Sequence, residues 1–145
     1  MQHLVPLWKT VLDEGVHSMP FSADKKFNVV DLEDLAEASA IVATEPGHEF
    51  AIYELAGPEA LSQNDMAAVI SDVIGKPVKA KALPFDVMEA NARKKGADDD
   101  RVEQMLIMNR HYDTHGFRGN SNVLEMVLGR KPRTYRDYVK RLAST

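Results

Sequence analysis

The sequence has no cysteine, and that one absence removes disulfides, thiolate nucleophiles and cysteine-ligated zinc or iron–sulfur sites together. It also lacks a basic surplus. Lys and Arg number 18 against 22 Asp and Glu, a net charge of −4, which argues against general nucleic-acid binding, since that needs a basic surface to displace counterions. No apolar run approaches the roughly 18 residues of a membrane span, and the first residues lack the basic-then-apolar order of a signal peptide. The expectation is a cytoplasmic protein with neither membrane nor nucleic acid as partner. What is present, 145 residues at 44% hydrophobic and 28% charged, fits one globular domain over 1–145.

Charge is unevenly spread along that length. Residues 1–70 hold 3 basic and 12 acidic side chains, whereas 71–145 hold 15 and 10. The basic excess peaks at Arg130, Lys131, Arg133, Arg136, Lys140 and Arg141. Such a stretch reads as a solvated helix face or a phosphate grip; acidic and basic halves can also attract each other, or a second copy of the chain.

Hydrophobic spacing gives the elements. Leu4, Leu7, Trp8, Val11 and Leu12 recur at helical period, with Pro6 tolerable only in a first turn and Gly15 as the stop. Trp8 lies on that stripe and reads as core. Val16–Phe21 and Phe27–Val30 read as short extended pieces. Asp31 is an N-cap candidate for a helix over Leu32–Thr44, ended by Pro46-Gly47. Phe50–Ala56 is a nearly continuous apolar run between glycines, the pattern of a strand buried on both faces. Ser62 with Asp65 has capping-box spacing ahead of a helix that Gly75 ends, and Val78–Leu83 alternates like a half-exposed strand. The remainder reads as helical: 85–95, a helix opened by Asp98, Asp99 and Asp100 and running to His115, 123–128, and a last one after Thr134, which repeats the capping-box spacing with Asp137.

Three stretches in this order resemble a known family. They are Asn28 to Ala38 (NVVDLEDLAEA), Tyr53 to Ser62 (YELAGPEALS), and His111 to Gly116 (HYDTHG) continuing through Asn120 and Asn122 to Gly129–Thr134 (GRKPRT). Together they are similar to NmrA-like NAD(P)-binding proteins, atypical short-chain dehydrogenase/reductases, and the resemblance runs from Met1 to about Leu142. It implies an α/β fold: a helix-rich C-terminal portion of a Rossmann-like NAD(P)-binding fold with a small remnant sheet, without the N-terminal dinucleotide-binding βαβ units. On that reading 1–83 is the sheet-associated part and 84–145 the helical, substrate-side part.

The motifs that carry the wider superfamily's chemistry are not written here. There is no Gly-rich turn after a strand to set a pyrophosphate on a helix N-terminus; Gly116 and Gly119 follow a helix instead. There is no Tyr-x-x-x-Lys either, since Gly57, Gly116, Val139 and Leu142 stand four residues after Tyr53, Tyr112, Tyr135 and Tyr138. The expectation is that this chain alone binds no cofactor and no metal, with NAD(P) implied for the complete family fold. Whether it is an enzyme by itself stays open.

Three functions follow. The first is the substrate-side portion of an NmrA-like oxidoreductase, without standalone hydride transfer. The second is a self-associating or redox-sensing module with no catalysis, and the third a nonfunctional truncated product. The unpaired edge of a strand at 50–56 bears on all three, because about 300 Å² of exposed apolar surface costs about 7 kcal/mol. The expected partners are a second copy of the chain, or a chain supplying the N-terminal half, with a small molecule as possible substrate.

Site candidates come partly from spacing and partly from the resemblance. His111 and His115, four apart on a helix, can share a metal or simply favour the helix C-terminus. The resemblance places the 111–120 segment along a substrate cleft, so that Arg110, His111, Tyr112 and His115 position a polar substrate, with His17 and Met19 approaching it from the extended piece after the first helix. Met105 and Met108 read as gap-fillers or pocket lining.

Overall fold

Pro6 decides how the chain begins. In the computed structural model, which describes all residues from Met1 to Thr145, Gln2–Leu7 form a 3₁₀ stretch and helix α1 runs only over Trp8–Glu14. The helical stripe from Leu4 is therefore α-helical only beyond the proline, whose missing N–H and bulky ring disfavour an α-turn behind it. β1 (Val16–Met19) follows and lies parallel to β4 (Lys79–Ala82), with Val16 opposite Lys79 and Met19 opposite Ala82. β2 (Phe27–Asn28) pairs antiparallel with β3 (Ala60–Leu61), so the remnant sheet is two separate two-stranded sheets.

The structure corrects one element outright. Phe50–Ala56 is not a strand: Phe50 and Ile52 stand fully in solvent, and Phe50 takes a positive φ of 61°. The run has a strand's side-chain pattern, but a strand needs a neighbouring edge to bond its backbone, and both sheets lie elsewhere. Only its inner side is covered, where Leu55 packs beside Ala38, Leu124 and Leu128.

The helices follow their caps. Asp31 accepts from the Glu33 N–H at the start of α2 (Leu32–Thr44), and Asp98 from the Arg101 N–H at the start of α5 (Asp99–His115). Complete capping boxes, Ser62 with Asp65 and Thr134 with Asp137, open α3 (Gln63–Ile74) and, at the end of the chain, Tyr135–Ala143. Between α3 and that last helix come α4 (Phe85–Lys94), α5 and α6 (Ser121–Leu128), so Tyr135–Ala143 is α7. The main core lies where α3 meets α7 and the N-terminal turns, around Leu4, Val11, Ile70, Tyr135 and Val139, with Trp8 packed against it. A smaller one forms where α2 meets α6.

Part of the basic tail binds the acidic half, through Arg130, Arg133 and Arg141, while Lys131, Arg136 and Lys140 stay on a solvated face. Asp34, fully buried, accepts from Arg130 Nη2 at 2.7 Å, from the Arg133 N–H at 2.6 Å and from the Arg133 guanidinium. Asp31, equally buried, accepts from Arg141 at 2.7 Å and Gln2 at 2.7 Å. Arg130 also engages Glu37, and Arg136 reaches Asp72 at 2.9 Å. The charge asymmetry of the two halves is thus an intramolecular clasp. No helix is long and apolar enough to cross a membrane.

Candidate functional site

A cavity of about 700 Å³ opens where the N-terminal turns, β1, β2, α3, α5 and α7 converge. Several local devices build its wall. Asp113 accepts from the Ser22 N–H at 2.6 Å and Lys25 Nζ donates to Thr114 O at 2.9 Å, which pins the 20–26 turn to the end of α5. Phe21 and Phe27 are thereby brought together at 4.5 Å between ring centroids, with Tyr112 edge-on to both at 6.3 and 5.8 Å. Phe117 closes the group, edge-on to Tyr112 at 6.4 Å. Edge-to-face packing of this kind holds rings in place without filling the space between them.

Two glycines let these pieces approach. A Cβ at Gly57 would lie 1.7 Å from Val29 O, and one at Gly116, whose φ is +67°, would lie 2.7 Å from Lys26 O. Asn28 ties the same region together: its Nδ2 donates to Gly57 O at 2.9 Å and its Oδ1 accepts from the Gly119 N–H at 3.3 Å.

None of the 20 residues lining the cavity carries an acidic side chain or a Lys or Arg, and 13 are hydrophobic. The Met1 ammonium is turned to backbone, donating to Val30 O at 2.7 Å. Within this apolar wall three buried polar atoms have no protein partner: His17 Nδ1, Gln63 Oε1 and the Tyr135 hydroxyl. Burial pushes the His17 imidazole down to about 4, so it is neutral at physiological pH. Burial, followed by the neighbouring Tyr138, pushes the Tyr135 phenol up, so it keeps its proton. Gln63 is held rigidly, since its Nε2 donates to Phe21 O and, at 3.3 Å, to Ser22 O. Buried polar groups are ordinarily paired; these three atoms are closed to solvent, in residues that line the cavity.

The expected site residues divide between two places. His17, Met19 and Tyr112 line the cavity, as does Met108. Arg110, His111 and His115 do not; they lie exposed on the outer side of α5. Arg110 sits over the Phe85 ring at 5.9 Å, and the His111 and His115 rings lie tilted to each other with centroids 4.7 Å apart. At 100° per residue, a helix that turns Met108, Asn109 and Tyr112 inward turns 111 aside, whereas 115, seven residues after Met108, shares its face and is exposed as the last residue of α5. No group of three or more His, Asp or Glu is placed to hold a metal ion, around them or elsewhere. Sequence reasoning missed Phe21, Phe27, Phe117, Gln63 and Tyr135. Gln63 and Tyr135 are each the first residue of a helix, directly after the capping Ser62 and Thr134, a position that could have been singled out.

The residues present do not fit the diphosphate of a dinucleotide. The glycines whose Cβ position is open (Gly47, Gly75, Gly96 and Gly129) end helices or turns, and Gly57, Gly116 and Gly119 are closed against the chain's own atoms. A pyrophosphate cradle needs open glycines at the start of a helix that follows a strand.

Comparison with known proteins places this architecture. The chain is 26% identical over 140 residues to the NAD(P)H azoreductase of Xenophilus azovorans, covering 97% of this chain and 49% of that protein. Its structure is similar to the NADPH-dependent quinone oxidoreductase of Escherichia coli complexed with NADPH: TM-score 0.81, 25% identity, 98% of this chain and 50% of that one. The fold is shared too with the Citrobacter sp. triphenylmethane reductase complexed with NADP(H), at TM-score 0.76 and 22% identity over 94% of this chain and 47% of that one. The chain spans about half the length of these relatives. The family model described as NmrA-like matches residues 1–139, and the chain belongs to the NmrA-like family.

Proposed function

We propose that this chain forms the acceptor-binding side of an NAD(P)H-dependent reductase and that its cavity takes an uncharged, flat aromatic acceptor of the quinone type. The observation that carries the reading is the cavity itself: aromatic and aliphatic walls with no acidic, Lys or Arg side chain. A charged ligand entering such a wall loses hydration and meets no oppositely charged Asp, Glu, Lys or Arg side chain, whereas a neutral ring gains burial. The relatives named for azo and quinone reduction support the same class. Because the glycines here do not cradle a diphosphate, the dinucleotide is held in this reading by polypeptide outside these 145 residues, and the chain alone transfers no hydride.

The test is a calorimetric titration of the purified chain with 2-methyl-1,4-naphthoquinone and with 1,4-naphthoquinone-2-sulfonate, alongside an NADPH-consumption assay. The neutral quinone binds, the sulfonate does not, and NADPH is not consumed. Preference for the anion overturns the cavity reading, and steady NADPH turnover overturns the assignment of the dinucleotide to other residues.

A second reading, pairing with another polypeptide, draws on a separate observation. The 50–56 run shows Phe50 and Ile52 to solvent and leaves its backbone without a neighbouring strand. A second copy of the chain or a dinucleotide-binding half laid along it would cover both.

A further inference from the structure

We propose that the cavity takes its quinone-type acceptor with a flexible hydrocarbon side chain attached, an isoprenoid-like chain lying along the aliphatic half of the site. This rests on the acceptor-site reading given above and narrows the substrate class within it. Size is the first reason. At the roughly 30 Å³ that one water claims in the liquid, a cavity of about 700 Å³ holds about two dozen heavy atoms, and a bare methylnaphthoquinone brings about half of them. The remaining space is apolar-walled, and only more hydrocarbon fills it favourably.

The walls divide by chemistry. Phe21, Phe27, Tyr112 and Phe117 gather at one end, with neighbouring ring centroids 4.5 to 6.4 Å apart. The other end is aliphatic. There the Met1 ammonium donates to Val30 O at 2.7 Å and Gln2 Oε1 accepts from the Leu32 N–H at 3.1 Å, which sets Met1, Leu4, Pro6, Val30 and Leu32 along one side. The segment from Phe27 to Leu32 joins the two ends, and at about 3.3 Å per residue it spans at most about 16 Å. A flat ring suits the aromatic end by edge and face, whereas a chain with free rotors follows the adaptable aliphatic side, where Met66 also lies. The mouth continues the same surface. The exposed members of the lining are Pro6, Leu32, Met108 and Phe117, all apolar, and His3. A chain longer than the cavity therefore leaves it across hydrocarbon.

The experiment is calorimetry of the unaltered chain with 2-methyl-1,4-naphthoquinone and with its 3-prenyl and 3-geranyl derivatives, repeated on Leu32→Glu. Leu32 is 52% exposed and opens α2, where an acidic side chain suits the helix N-terminus, so the variant keeps its fold. A fully buried methylene is worth about fourfold in Kd, so with partial burial Kd should fall by about tenfold or more with each five-carbon unit, at one ligand per chain. Leu32→Glu should cancel most of the gain from the geranyl chain. A geranyl derivative that binds no more tightly than the methyl compound overturns the inference while leaving the acceptor site standing. So does a gain that survives intact in Leu32→Glu, or several geranyl ligands per chain, since the hydrocarbon then adheres elsewhere. If none of the three binds, the acceptor site itself falls and this inference with it. Should Leu32→Glu fail to fold, the chain-length series and its stoichiometry on the unaltered chain decide alone.

Discussion

At the scale of single residues, burial and titration are coupled most directly at His17. Only 3% exposed, it stays neutral in the folded chain down to about pH 4, while in the unfolded chain it takes a proton near 6.5. Between those values the unfolded state binds the extra proton, so stability falls as pH falls through that window, by about 3 kcal/mol in all. The buried carboxylates act lower. Burial works against the ionised form of Asp31, but Arg141, Gln2 and the Glu33 N–H outweigh it and hold its pKa below the usual range. Asp65 and Asp137 are held low by bonds from Ser62 and Thr134. Depressed carboxylates stabilise above their unfolded values, and that contribution is lost only as pH falls through the folded ones. Urea titrations from pH 7 to pH 4.5 should therefore show a decline that His17→Gln abolishes. An unchanged slope in the variant would remove His17 as its source.

At the scale of elements, the legible parts were those whose signal is local. A cap is decided by three or four neighbouring residues, so Asp31, Asp98, Ser62 with Asp65 and Thr134 with Asp137 could be read directly. A strand is decided by what lies beside it, and the apolar run at 50–56 has a strand's composition with no edge to join. The cavity was half legible for the same reason. His17, Met19 and Tyr112 came from resemblance, but which face of α5 turns inward depends on how the 20–26 turn docks, and that is set by Asp113 and Lys25 across the fold. Gln63 and Tyr135 acquire their role only when α3 and α7 pack together. Gly57 is the most constrained joint among these elements, because a methyl there meets the Val29 carbonyl rather than a movable side chain. Gly57→Ala should cost about 3 kcal/mol or more and loosen the cavity wall at Phe27 and Asn28. The readout is the urea midpoint together with naphthoquinone affinity; a variant matching the parent in both would show that the backbone there yields freely.

At the scale of the whole molecule, two features pull in different directions. The outside of the 50–56 run is apolar and uncovered, and a single lysine there should act on association and leave folding alone. Ile52→Lys, at 98% exposure, is expected to shift a concentration-dependent sedimentation profile toward monomer with an unaltered melting temperature. A parent chain that is monomeric at every concentration would remove self-pairing as the way this run is covered. The inside is held by the clasp between an acidic first half and a basic last stretch, whose partners Asp31 and Arg141 are 110 residues apart. A ribosome making this chain delivers the acids early and the guanidinium groups last. Until α7 has cleared the exit tunnel, Asp31 and Asp34 cannot be buried as paired charges, and Leu4 and Ile70 await Val139 and Tyr135 to seal them. Folding of these 145 residues therefore waits on contacts between their two ends, and a chain still lacking α7 leaves these acids and apolar side chains uncovered.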